Sequence, residues 1–279
     1  MIAPDLTAAA AAIETARGVL ASTTNALAEA GGPETNQVLA YEFSHATAAI
    51  EMSATLVDTY GPKGDTEARI ACAFAADAIA ALAGRLFGNE ATWGVEPGVL
   101  DDARSFVATF NSTEFLLTID GDGPRHLDED FELVQDTFRR FAEDQIRPHA
   151  EHIHRTNGDV PEEVISGLAE LGAFGLSIPE AYEGFAAGTE SDYIGMVVAT
   201  EELSRGSLGI GGSLITRPEI MTRALETGGT EEQKQYWLPK LATTEVMCAV
   251  AVTEPDFGSA VASIKAPATR DTLDDGTEG

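Results

Sequence analysis

The chain has 279 residues, with 46 Asp and Glu against 17 Lys and Arg, giving a formal net charge of −29 and a sequence pI near 4.3. So acidic a surface repels phosphates and anionic headgroups, and Arg17, Lys63, Arg69, Arg85 and Arg104 are the whole cationic content of residues 1–120, so neither nucleic acid nor membrane is an expected partner. A hydrophobic content of 44% suits a soluble globular protein, and the length suits about two domains, since single cores stop growing near ~250–300 residues.

No basic and apolar leader opens the chain, and no apolar run approaches the ~18 residues of a membrane span, so a cytoplasmic location is expected. Residues 5–30 are nearly pure helix former, ended by Gly31-Gly32-Pro33. A second helical pattern runs from Glu34 to Tyr60 with Leu39, Phe43, Ala46 and Ile50 at three- and four-residue spacing, before Gly61-Pro62-Lys63-Gly64. Asp65 or Thr66 is placed to cap a third, carrying Ile70, Phe74, Ile79, Leu82 and Leu86. A fourth follows Pro97 through Leu100, Phe106 and Phe110, so the first 120 residues read as an antiparallel helical bundle. Cys72 and Cys248 lie in apolar runs without metal spacing and read as small buried hydrophobes in a reducing compartment.

Ile119-Asp120-Gly121-Asp122-Gly123-Pro124 reads as a linker. After it, acidic residues open a helix with Phe131, Val134, Phe138, Phe141 and Ile146 on one face. Near its end, His149 and His152 share a face; they suit either a metal or a solvated last turn, and no third ligand follows at zinc spacing. Ser191-Asp192 is placed to cap a helix that runs into Gly206-Ser207-Leu208-Gly209-Ile210-Gly211-Gly212-Ser213. Four glycines there weaken a helix by about 1 kcal/mol each, so close approach of another backbone or a ligand is expected. Arg217 follows, with Arg205 and Arg223 near it; each suits a substrate carboxylate or a surface pair with Glu201, Glu202 or Glu219.

Val246–Val252 is short, apolar and rich in β-branched residues, which predicts a buried strand stopped by Pro255. Asp256-Phe257-Gly258-Ser259 supplies turn chemistry, with Gly258 free for φ > 0 and hydroxyls at Thr253 and Ser259. The same composition occurs in ordinary strand-to-loop turns. Ala260–Ile264 with Pro267-Ala268-Thr269 predicts an alternating strand, and 271–279 a polar tail.

Val252-Thr253-Glu254-Pro255-Asp256-Phe257-Gly258-Ser259 resembles the flavin loop of the acyl-CoA dehydrogenase family, which commonly runs Thr-Glu-Pro, two variable residues, then Gly-Ser-Asp. Gly229–Leu241, Pro161–Val164 and Leu168–Leu176 match further family blocks in order, so the resemblance covers about residues 126–265. It implies a mainly α fold with a partial β domain: a helical-bundle extension over 1–120, an N-terminal α-helical domain over 125–245, and the first strands of a middle β-barrel domain over 246–279. It implies FAD held around Val250, Val252, Thr253, Gly258 and Ser259, and an acyl-CoA substrate bordered by Ser259, Gly212, Ser213, Thr216 and Arg217. The implied reaction is α,β-dehydrogenation of a thioester, with an electron-transfer flavoprotein or similar acceptor and a homo-oligomeric complete enzyme. The catalytic base would lie beyond Gly279, so the chain reads as an N-terminal part and no catalytic residue is assigned.

Two departures stand out. Ala260 replaces the family's Asp, and Tyr182-Glu183-Gly184 is one glycine short of the family's Tyr-Gly-Gly. The helical extension narrows the resemblance to a branch whose short, branched acyl group carries a free carboxylate. A general short- or branched-chain dehydrogenase and a catalytically inactive interaction subunit of the same fold are the alternatives.

Overall fold

The computed structural model describes residues 2–267 and 269, and it divides into two compact units, residues 1–126 and 127–279. In the first, α1 (Leu6–Glu29), α2 (Gln37–Thr55) and α3 (Asp65–Leu86) pack on one another, followed by α4 (Arg104–Phe110) and the single turn α5 (Thr113–Leu116). Alanines line much of the contact: Ala9, Ala16, Ala71 and Ala75 are fully buried beside Ile50, Leu82 and Phe115, and their small side chains let the helix backbones approach closely. Asp5 caps α1 by accepting from the Ala8 N–H at 2.9 Å. The third helix is entered differently from the expectation: Gly64 is its N-cap, while the Asp65 carboxylate accepts from Arg69 Nε at 2.7 Å. The expected linker is tied down, since the Tyr60 hydroxyl donates to the Pro124 carbonyl at 3.0 Å and the buried Glu67 carboxylate meets His126 Nε2 at 2.7 Å.

The second unit holds α6 (Glu129–Phe141), α7 (Arg147–Thr156), α8 (Glu162–Glu170), α9 (Glu190–Ser207), α10 (Ser213–Gly228) and α11 (Glu231–Ala242). Phe138, Ile146, Leu168, Phe174, Leu203 and Ile215 form its main core. Capping boxes start α9 and α11: Thr189 with Asp192, and Thr230 with Gln233. The first of these moves the cap two residues ahead of the expected Ser191, because Asp192 reaches back to the N–H groups of Ala187, Gly188 and Thr189. Two π-helical turns, Ala142–Ile146 and Leu208–Gly212, interrupt the helical path.

A carboxylate sits inside this helical core. Glu202 is fully buried and accepts from Arg139 Nη2 at 2.8 Å and Arg205 Nε at 3.0 Å, while Arg205 also pairs with Glu143 at 2.5 Å. Burial alone would push the Glu202 carboxyl up, but the hydrogen bonds from Arg139 and Arg205 outweigh it and hold the group below the usual carboxylate range.

The partial β domain is not formed, which corrects the expected fold class: the described residues are helical and contain no sheet, only the isolated bridges Pro179–Ala186 and Glu254–Phe257. Val246 lies in a bend and residues 247–252 form no regular element, with Val250 and Val252 exposed, and Val261–Ser263 is a 3₁₀ turn where a second strand was expected. A β-branched run makes a strand only when a neighbour accepts its N–H groups and covers its face, and no described strand does either. Ala268 and the tail 271–279 lie outside the described residues.

Candidate functional site

The Thr253–Ser259 loop is held by its own backbone and by one carboxylate. Glu254 and Phe257 exchange N–H···O bonds at 3.0 and 3.2 Å around Pro255-Asp256. The Glu254 side chain then accepts from the Lys265 N–H at 2.9 Å and the Ala266 N–H at 2.7 Å, drawing residues 254–266 into a closed loop. Lys265 Nζ stands 4.9 Å over the Phe257 ring. Within it the hydroxyls of Thr253 and Ser259 and the N–H groups of Gly258 and Ser259 are exposed and make no hydrogen bond among the described residues. Gly258 is not in the left-handed region, and a Cβ there would meet nothing within 4 Å. Glu254 is the residue that sequence reasoning missed as loop organiser; its signal was the Thr-Glu-Pro run itself.

The glycine-rich turn has a different environment. A Cβ on Gly206 would lie 3.1 Å from the Ala142 carbonyl oxygen, and one on Gly211 would lie 2.7 Å from Ile146 Cδ1 and 3.0 Å from the Leu203 oxygen. These two glycines therefore admit the π turn at Ala142–Ile146, which meets the expectation of close approach with protein rather than ligand. Gly212 is buried against the Ser204 side chain, Ser213 donates its hydroxyl to the Gly209 carbonyl at 2.9 Å, and Thr216 donates to the Ser213 carbonyl at 2.9 Å.

The three arginines separate clearly. Arg205 is committed to Glu202 and Glu143, and Arg223 donates to the Tyr193 hydroxyl at 3.0 Å while stacking on that ring and facing Glu226 at 3.4 Å. Arg217 is exposed and makes no ion pair or side-chain hydrogen bond among the described residues. It borders a narrow crevice with Phe174, Leu214, Met247 and Cys248, so α10 and the start of the 247–252 segment meet at its guanidinium. Burial pushes the Cys248 thiol up, and the Arg217 charge offsets part of that shift.

A cleft of about 580 Å³ lies beside these elements, between the 176–189 loop, α9 and α10, with Ser177, Tyr193, Met196, Glu219 and Arg223 in its wall. Arg223, a rival of Arg217 for a substrate carboxylate, lines it, whereas Gly212, Ser213, Thr216, Arg217 and the residues of the Thr253–Ser259 loop do not; sequence spacing did not mark the cleft, because it is made by a loop folding against two separate helices. The structure thus brings Arg217 to Cys248, while Thr253, Gly258 and Ser259 form a separate exposed loop. His149, His152 and His154 lie on α7, and no group of three metal-ligating side chains is gathered among the described residues. No helix among them is long and apolar enough to cross a membrane.

Residues 128–245 match the family described as acyl-CoA dehydrogenase, N-terminal domain. The chain is similar to (2S)-methylsuccinyl-CoA dehydrogenase of Cereibacter sphaeroides, 45% identical over 149 residues that make 53% of this chain and 26% of that protein. It is similar to the mitochondrial isovaleryl-CoA dehydrogenase of Solanum tuberosum, 36% identical over 51% of this chain and 34% of that protein. It is also similar to the glutaryl-CoA dehydrogenase of Desulfococcus multivorans, 31% identical over 51% of this chain and 36% of that protein. The matches span between about a quarter and somewhat over a third of these relatives' own lengths.

Proposed function

Residues 128–245 are an acyl-CoA dehydrogenase N-terminal domain, and from that premise we propose that this chain forms part of an FAD-dependent enzyme that α,β-dehydrogenates a short branched acyl-CoA, (2S)-methylsuccinyl-CoA to mesaconyl-CoA of the ethylmalonyl-CoA pathway. The observation that carries the substrate is Arg217. Methylsuccinyl and glutaryl groups both end in a carboxylate, and Arg217 is the arginine of the 205–223 stretch whose guanidinium has no carboxylate of its own among the described residues. An arginine fork at the mouth of a crevice lined by Phe174, Leu214 and Met247, itself too small to take an acyl group, can receive a distal carboxylate bidentately.

The unbonded hydroxyls of Thr253 and Ser259, with the N–H groups of Gly258 and Ser259, fit the donor set that a diphosphate requires, and they would hold the FAD with Val250 and Val252 beside it. When bound, the flavin supplies the oxidant for the C–C bond. Gly212, Ser213 and Thr216 lie one to two turns before Arg217 or next to it and would border the acyl chain, with Ser259 near its CoA end. Electrons would leave to an electron-transfer flavoprotein or similar acceptor, from a homo-oligomeric complete enzyme.

Arg217→Met tests the reading on the complete enzyme that contains this chain. KM for methylsuccinyl-CoA should rise by roughly tenfold or more, the size of a lost charge-assisted bond, with isovaleryl-CoA and butyryl-CoA unchanged. Equal losses on all three would remove Arg217 from the site. The similarity to isovaleryl-CoA dehydrogenase favours, as a second reading, a general branched-chain enzyme, and the same panel decides between them by its preferred ester. A complete protein that is colourless and takes up no added FAD would end both.

A further inference from the structure

We propose that the outer face of α2 is a self-association surface, on which a second copy of this chain docks antiparallel. Val38, Tyr41, His45, Ala48, Met52 and Thr55 follow one another at three, four, three, four and three residues, the spacing that puts a row of side chains on one helix face at a two-helix seam. All six are exposed, Val38 at 83%, Tyr41 at 64% and Met52 at 54%, while the opposite face of α2 is buried through Ala46, Ile50, Ser53 and Ala54. Tyr41 and His45 already pack edge to face at 4.5 Å between ring centroids, so the middle of the row is a formed ridge.

Charge selects the occupant. No Asp, Glu, Lys or Arg stands on this row, in a chain of net charge −29. The two carboxylates of α2 flank it, and each carries a guanidinium from its own unit: Glu42 pairs with Arg85 at 2.7 Å and Glu51 with Arg17 at 2.5 Å. Two identical acidic molecules repel wherever bare carboxylates face each other, so they can meet at a face that is uncharged with neutralised flanks. A basic partner would gain nothing from such a face and would be drawn to the acidic surface elsewhere.

The row is also self-complementary. Turned antiparallel about a two-fold axis between His45 and Ala48, it sets Tyr41 against Met52 of the second copy and His45 against the small Ala48, each contact made twice. Ring against thioether is a favourable pairing, and the helix dipoles oppose. A parallel arrangement would instead set Tyr41 on Tyr41 and align the dipoles. The seam is about 26 Å long at ~1.5 Å per residue. That places it at the small end of specific interfaces, so the dimer should be weak and should tighten as salt screens the remaining repulsion.

Sedimentation velocity on the full 279-residue chain tests this independently of the proposed reaction. A concentration-dependent dimer is expected, tighter in 1 M than in 0.1 M NaCl (roughly one-third the Debye length). Tyr41→Glu should weaken it by roughly tenfold or more, since a carboxylate would be buried unpaired, with helix content unchanged because Tyr41 is exposed. Should that variant lose helix content, Met52→Glu takes its place; Leu133→Glu, on the exposed side of α6, should leave the dimer intact. The double variant Tyr41→Cys with Met52→Cys should oxidise to a covalent dimer, and Tyr41→Cys alone should not. A chain that is monomeric in both salts, a dimer indifferent to Tyr41→Glu or Met52→Glu, or a covalent dimer through Tyr41→Cys alone would overturn the proposal.

Discussion

The glycines of the 206–212 turn and the glycine of the 253–259 loop are the same residue in opposite settings. Gly206 and Gly211 have another helix against them, at distances where a methyl group would collide. Gly258 faces open space with an ordinary backbone angle, in a loop where the Thr253 and Ser259 hydroxyls and the Gly258 and Ser259 N–H groups make no hydrogen bond among the described residues. A glycine whose missing Cβ is already used by the protein is committed to packing. One that leaves room and unspent donors is available to a ligand. The buried Glu202 and the exposed Arg217 divide in the same way: one charge is consumed by the fold, and the other is unspent.

The largest test of that division is Arg139→Ala, which removes one of the guanidinium groups that donate to the buried Glu202 and leaves the bond from Arg205 in place. Removing one partner of a buried pair costs about 3–5 kcal/mol when the charge left behind is isolated, so a loss of about 2–3 kcal/mol is expected in denaturant unfolding. The pH dependence has a definite sign. The Glu202 carboxyl is lowered in the folded state, so its contribution is complete above the ordinary glutamate value of about 4.3 and fades as pH falls below it. The stability gap between parent and variant should therefore close on acidification below that value. A gap that stays constant down to acid unfolding would mean Arg139 acts through packing alone.

Gly211→Ala comes next, with about 1–3 kcal/mol lost to overpacking against Ile146 and Leu203. A fully tolerated alanine would show that the two π turns separate easily, and the packing half of the comparison would fall. Glu183→Gly should work in the opposite direction. Glu183 sits at φ 65°, where a side chain is strained, so glycine should raise stability by about 0.5–1 kcal/mol on thermal unfolding. The neighbouring Gly184 is fixed by a different demand, since its Cβ would fall 1.9 Å from the Ile178 carbonyl oxygen. The smallest effect belongs to Gly258→Ala, expected within about 0.5 kcal/mol of the parent. If FAD affinity of the complete enzyme then falls while stability holds, the unspent glycine is serving the ligand; a large loss of stability would erase the contrast with Gly211.

Much of this was legible in the residues, and what was not has identifiable causes. The ends of α1 and α3 follow from Gly31-Gly32 and Gly88, because a positive φ at those points stops a helix whatever surrounds it. The glycine run announced a close approach but left its occupant open, since a ligand and a neighbouring helix make the same demand of Cβ. The error was the strand. Val246–Val252 has the composition of one, and composition alone does not supply the neighbouring strand that makes a ladder.

Sequence by itself determined most of the helical elements, the glycine stops of α1 and α3, the strongly acidic character of the chain, and the ordered blocks shared with acyl-CoA dehydrogenases. These depend on chain-local chemistry: backbone freedom at glycine, hydrogen bonds three residues apart, and summed charge. Tertiary structure alone decided which arginine is left without a carboxylate, which glycines are consumed by packing, that Glu254 closes its loop onto Lys265 and Ala266, and that the outer row of α2 lies bare. Each depends on what a distant part of the chain brings alongside, and spacing along one segment cannot encode that.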